Sequence, residues 1–103
     1  MQSIKLFTTS EICALLGNRA RQSRLAQNLT QAELAARAGV SSGAVRKLEA
    51  GGQTTLATFI RCVQALGAES DLEPVLAPPL QSIAQMERNA QVALRKRARP
   101  VIR

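Results

Sequence analysis

Residues 30–51, TQAELAARAGVSSGAVRKLEAG, constrain this chain more than any other stretch, because they hold the start and stop signals of two short helices in immediate succession. Thr30 and Glu33 stand in the T-x-x-E register of a capping box, which starts the first helix at Gln31. Leu34, Ala35 and Ala38 give that helix a small apolar face, and Gly39 permits a sharp left-handed turn at its end. Ser41 then caps a second helix, in which Val45 and Leu48 are spaced i, i+3 for burial. Ser42, Arg46 and Lys47 are left to face outward, and Gly51 marks the end of the unit.

Composition narrows what surrounds this unit. A chain of 103 residues holds one small domain and at most an appendage, and it buries only about 60–65% of its unfolded surface. Hydrophobic residues make up 46% of the chain but aromatic ones only 2%, so the core is expected to be Leu, Ala, Val and Ile packed between helices. No apolar run approaches the roughly 18–20 residues of a membrane span, and the N-terminus lacks a signal-peptide pattern, so a cytoplasmic protein is expected. Cys13 and Cys62 each sit in an apolar helical pattern and read as buried small hydrophobes rather than a disulfide or metal pair. There is no histidine, which excludes Ser-His, Cys-His and His-zinc constellations. The seven carboxylates are scattered and no glycine-rich phosphate loop appears, so neither an enzyme nor a cofactor is expected.

The net charge of +7 is unevenly spread. Residues 1–79 carry eight Lys/Arg against six Asp/Glu, whereas residues 80–103 carry six against one. Most of the excess lies in the last part of the chain, which attracts phosphate or an acidic protein surface without specifying either.

Along the chain, the alternation in 3–7, SIKLF, fits a short strand or an extended arm. A long helix begins at Thr9 or Ser10, with Ile12, Leu15, Leu16 and Leu25 as core positions, a kink or close approach at Gly17, and Asn28 closing it. Thr54 or Thr55 caps a further helix in which Leu56, Phe59, Ile60, Val63 and Leu66 recur at helical spacing, and Gly67 stops it. Leu72, Val75 and Leu76 suit one or two helical turns over 70–76, with a short strand as the rival reading. Ala77-Pro78-Pro79 breaks the pattern and divides a domain of residues 1–79 from a tail of residues 80–103. Residues 80–97 could form another helix, on which Leu80, Ile83, Met86, Ala90 and Leu94 make an apolar stripe too thin to support it alone in water, so the tail is expected to be partly helical, ordered against a partner, or disordered.

Two compact helices, the second polar and basic, follow the helix-turn-helix plan for laying a helix in the major groove of DNA. The run LTQAELAARAGVSSGAVRKLEAG closely resembles the Cro/C1-type helix-turn-helix family, through Leu29-Thr30-Gln31, Glu33-Leu34-Ala35, Gly39-Val40-Ser41 and Val45, Leu48, Glu49 and Gly51 in register. The resemblance implies an all-α, five-helix, lambda-repressor-like domain over roughly residues 9–77, with the N-terminal arm or strand and the basic tail outside it. Residues 4–66 further resemble the HipB-type antitoxins, through IKLFTTSEI and TTLATFIRCVQALG. Those proteins repress their own operons as dimers and bind a HipA-type kinase toxin.

By position, the resemblance implies a phosphate contact for Gln31 and contacts to bases and backbone from Ser41, Ser42 and Gly43 at the start of the recognition helix. It assigns the next reading position to Lys47, with Arg46 beside it. Thr54 and Thr55, with hydroxyls at a helix N-terminus, are candidates for phosphate contacts or are only caps. Arg24 and Glu49 match a pair that ties the first helix to the recognition helix by a salt bridge. The chain departs from the family at Gly43, where repressors often carry a side chain that reads a base. Arg95, Lys96, Arg97 and Arg99 are candidate tail contacts to DNA or protein. Together these features imply a homodimeric repressor on a palindromic operator, bacterial and associated with the nucleoid. A stand-alone repressor without a toxin, and a protein-bridging or RNA-associated adaptor on the same fold, are the alternatives.

Overall fold

The computed structural model describes the backbone of residues 4–79 and 83–98, and the side chains of residues 4–79 and 87–94. The chain forms two compact units, Met1–Glu73 and Pro74–Arg103. Every regular element among the described residues is helical. The first unit holds a 3₁₀ turn at Ile4–Leu6, then α1 (Thr9–Ala26), α2 (Gln31–Ala38), α3 (Ser42–Gly51), α4 (Leu56–Ala65) and a second 3₁₀ turn at Glu69–Leu72. The second unit holds α5 (Ile83–Ala98).

The helices begin where short polar side chains replace the missing intrahelical partners of the first amides. Thr8 caps α1, its Oγ1 accepting the Glu11 N–H at 3.2 Å while Glu11 Oε1 accepts the Thr8 N–H at 2.9 Å. Thr30 and Glu33 repeat this reciprocal box on α2 at 3.0 and 2.9 Å. Ser41 Oγ accepts the Ala44 N–H at 3.0 Å to start α3, and Thr55 Oγ1 accepts the Thr58 N–H at 3.1 Å to start α4. Leu29 before the α2 cap and Leu34 one turn inside are both buried in one core, the arrangement of a hydrophobic staple.

The core contains Leu34, Val45, Leu48 and Cys62, all essentially inaccessible, with Ala20, Leu29, Ala35 and Leu66 around them. Ala38, Val40, Phe59 and Ala65 pack against its edge. Burial of a Leu- or Val-sized side chain stabilises by roughly 1.5–3 kcal/mol, so this small cluster supplies much of what holds the unit together. α3 lies centrally, touching α1, α2 and α4.

Several expectations are corrected. Residues 4–6 turn into a 3₁₀ helix, with the Phe7 N–H donating to the Ile4 carbonyl at 3.1 Å, rather than extending as a strand or arm. No strand is present among the described residues to pair with such a segment. In α1 the buried residues are Gly17, Ala20 and Arg24, whereas Leu16 and Leu25 are 36% and 44% exposed. The reason is backbone proximity: a Cβ on Gly17 would overlap the carbonyl oxygen of Leu48, so α1 meets α3 through its smallest residues. In α4 Leu56 is exposed and Cys62 takes the central buried place. The segment after Gly67 is a single 3₁₀ turn, and Val75 and Leu76 lie exposed beyond it. α3 runs through Gly51, and Gly52 is the left-handed residue that ends it.

Asn28 closes α1 in the left-handed region, as its place before the capping box implies. Both cysteines are free. Burial, followed by the nearby charge of Glu49, pushes the Cys62 thiol up, which keeps it protonated and inert. The tail is helical over Ile83–Ala98, with Val92 and Leu94 exposed. Leu80 lies outside the described residues, as do the side chains of Ile83 and Met86.

Because α1 and α3 touch backbone to backbone, Gly17→Ala must push them apart. We expect a loss of about 1–3 kcal/mol, the usual cost of overpacking, read as a lower urea midpoint.

Candidate nucleic-acid interface

α2 and α3 are joined by Gly39-Val40-Ser41. Gly39 adopts φ 70°, a conformation that side-chain-bearing residues seldom adopt, and Val40 donates its N–H to the Ala35 carbonyl at 3.0 Å. This turn and the Ser41 cap fix where α3 starts. Its rotation is fixed by Val45 and Leu48, buried on one side, so that Ser42, Arg46, Lys47 and Ala50 are exposed on the other. Gly43 is half-buried at the first turn. Among the described residues no carboxylate pairs with Arg46 or Lys47. The outward face of α3 is therefore small, polar and cationic.

The side chains beneath that face form one network. Arg24 of α1 is 7% exposed and donates from Nε to Glu49 Oε2 at 2.7 Å and from Nη2 to Glu49 Oε1 at 2.9 Å. Its Nη1 donates to the Leu29 carbonyl at 2.7 Å, in the connection leading to α2. Gln31, in the first turn of α2, donates from Nε2 to the same Glu49 Oε1 at 3.1 Å. One carboxylate on α3 thus binds α1 and α2 together. The geometry is bidentate, the form in which a guanidinium–carboxylate pair is strongest.

Burial pushes the Glu49 carboxyl up, but the hydrogen bonds from Arg24 and Gln31, with the charges of Arg24 and Arg21, outweigh it and hold the group below its ordinary range. The hydrogen bond to Glu49 raises the Arg24 guanidinium, against the effect of burial.

The remaining sequence-derived candidates are placed as follows. The Arg24–Glu49 pair is present and buried, with the two side chains 9% and 3% exposed. Gln31 is half-buried, and its carboxamide retains a second N–H beyond the one given to Glu49. Ser41 and Thr55 have hydroxyls committed to caps; Thr55 also donates to Thr58 Oγ1 at 3.0 Å. Thr54 is half-buried beside it. Outside these candidates, Arg19, Arg21, Arg37 and Arg61 are exposed as well. Arg95, Lys96 and Arg97 belong to α5, where their side chains lie outside the described residues, as does Arg99 altogether.

Three features escaped the sequence. The Leu29 carbonyl completes the surroundings of Arg24, Gln31 joins the Glu49 network, and Gln27 Nε2 donates to the Leu66 carbonyl at 2.8 Å, tying the end of α1 to the end of α4. Only the last had a usable sign, a long polar residue beside a helix end. Among the described residues no group of His, Cys, Asp and Glu is placed to hold a metal ion, and no helix is long and apolar enough to cross a membrane.

A helix-turn-helix family model matches residues 21–72, just over half of the chain, spanning the end of α1 through the second 3₁₀ turn. No curated protein matches the chain.

Removing Arg24 leaves a buried carboxylate unpaired, so Arg24→Ala should lose about 3–5 kcal/mol at neutral pH. Glu49 has a lower pKa in the folded chain than in the unfolded one. Its contribution is therefore full above the ordinary carboxylate value and is lost as the pH falls through the folded value. Urea titrations should show the gap between wild type and Arg24→Ala narrowing in acid.

Proposed function

Because the chain belongs to the XRE-type helix-turn-helix family of DNA-binding transcription regulators, we propose that it is a sequence-specific repressor working as a homodimer, with α3 of each protomer in the major groove of a palindromic operator. The observation that carries this reading is the division of α3 into two sides. Val45, Leu48 and Glu49 hold it to the fold, while Ser42, Arg46 and Lys47 stand exposed on the other side. Arg46 and Lys47 offer the donors that suit guanine O6 and N7, and Ser42 suits either a base edge or a phosphate. Ser41, Gln31, Thr54 and Thr55 flank the groove-facing helix at helix starts, where free backbone amides favour phosphate oxygens, and Gln31 keeps a carboxamide N–H to offer them. Half-sites about 34 Å apart, one turn of the duplex, would match a two-fold dimer.

In this reading residues 1–79 choose the site, and the basic residues 80–103 add attraction that does not depend on sequence. The resemblance of residues 4–66 to HipB-type antitoxins supports a further role, repression of the chain's own operon together with a HipA-type kinase toxin. No catalytic step is assigned to the chain, which has no histidine.

Replacing Arg46 or Lys47 by alanine should weaken binding to the duplex upstream of its own reading frame by about 1–3 kcal/mol where that residue reads a base, and leave binding to random duplex little changed. Unchanged affinity in the double variant, measured by fluorescence anisotropy, would remove α3 from the role of recognition helix. Deleting residues 80–103 separates two uses of the tail. If it grips DNA, the salt dependence of binding should flatten by about 0.9 in log–log slope for every phosphate that the tail neutralises. If it serves the toxin, DNA binding should persist and co-purification of the toxin should disappear.

A further inference from the structure

Gly43 is the second residue of α3, and nothing in the fold of the chain requires a glycine there. Its φ lies outside the left-handed region, and a Cβ would stand 3.6 Å from Arg46 Nη2 and 3.9 Å from Ser41 Oγ, both ordinary van der Waals contacts. Gly17 is different, since there a Cβ would overlap the Leu48 backbone. Glycine loses more conformational freedom on folding than alanine, a cost of roughly 0.5–1 kcal/mol in the middle of a helix, and position 43, in the first turn, gives up part of this without its own packing demanding it.

What the missing side chain leaves is space, and the guanidinium of Arg46 is the group nearest to it. The two positions are i, i+3 on one face, and helical side chains lean toward the N-terminus, so Arg46 lies over the turn that contains Gly43. A single carbon at 43 fits beneath the guanidinium. A longer side chain that leans the same way competes with the guanidinium for that space.

We propose that Gly43 is a specificity-determining position that acts through Arg46: by carrying no side chain, it seats the Arg46 guanidinium over the first turn of α3, where it reads the base edge that a side chain at 43 would otherwise face. This rests on α3 being the helix that enters the major groove. The ligand chemistry is a pair of acceptors on a base edge, the O6 and N7 of guanine, met by a two-pronged donor. Gly43 is a positioning residue in this scheme, and Arg46 is the reader.

The test uses the full chain and a randomised duplex library, so no operator need be known beforehand. Wild type, Gly43→Ala, Gly43→Leu, Arg46→Ala and the Gly43→Leu/Arg46→Ala double variant are each carried through selection, and affinities are measured on the duplex that wild type recovers. Thermal melts run alongside, since alanine and leucine both favour helix and should melt at or above wild type. Gly43→Ala should recover the wild-type motif. Gly43→Leu and Arg46→Ala should each lose the same guanine preference, with affinity for the wild-type duplex falling roughly 5- to 150-fold. The double variant should bind no worse than Arg46→Ala alone, the non-additivity expected when one residue acts through the other.

The proposal is overturned if Gly43→Leu keeps the wild-type motif and affinity. It is equally overturned if Gly43→Leu costs as much with Arg46 absent as with it present, which would mean direct collision with DNA. Loss of the guanine preference in Gly43→Ala would also overturn it, since a single carbon leaves Arg46 in place. A wild-type chain that recovers no motif at all would instead remove the groove-reading role of α3, a result distinct from any of these.

Discussion

The buried Arg24–Glu49 pair is the constraint on which the rest of the first unit depends. Three elements enter the unit separately in sequence, and each is too short or too weakly apolar to be oriented by propensity alone. The bidentate pair crosses from α1 to α3, the Leu29 carbonyl draws in the connection, and Gln31 draws in α2. A buried ion pair is seldom a large net source of stability, because desolvation offsets its attraction. Its stronger consequence is geometric: with every donor toward Glu49 accounted for, only one rotation of α3 keeps the network whole. That rotation turns Arg46 and Lys47 away from the fold.

The same interaction explains how a small, leucine-poor α1 face suffices. Where α1 meets α3, Gly17 brings the helix backbone against the Leu48 carbonyl, and Ala20 continues the line one turn later. Arg24 follows at the end of that line and makes the polar link. Close approach and the ion pair depend on each other. A larger residue at 17 would lengthen the distance that Arg24 spans, and an uncharged residue at 24 would leave the close-packed line without a fixed register.

The helix starts were readable from sequence because a cap is a local event, decided by residues three positions apart. Thr30 with Glu33, Ser41 and Thr55 each announced a helix that is present. The buried face of α1 was not readable, because apolar periodicity favours Leu16 and Leu25 while the actual packing selects the smallest side chains. The 3₁₀ turn at Ile4–Leu6 was obscured for the opposite reason, since a few alternating residues carry too little pattern to distinguish a strand from a turn. Of the side-chain network, family resemblance reached the Arg24–Glu49 pair, whose members are 25 positions apart. Nothing in spacing or composition reached the Gln31 bond to Glu49, which exists only after α2 and α3 are packed.

The two sides of α3 answer to different demands. Val45, Leu48 and Glu49 cannot change without disturbing the core or the ion pair. Ser42, Arg46, Lys47 and Ala50 are exposed and can change at small cost to the fold, and half-buried Gly43 has room for a Cβ. Gly43 carries the clearest sign of that separation, since alanine would fit its site and would favour the helix. A DNA-binding regulator built this way holds α3 by a buried carboxylate and leaves its outward face free of the fold's demands. The uneven charge extends the same division along the chain, with a nearly balanced first unit and a cationic tail. Attraction between charges acts over about a Debye length and needs no fixed geometry, whereas any contact to a base edge requires a held register, of the kind that the Glu49 network gives α3.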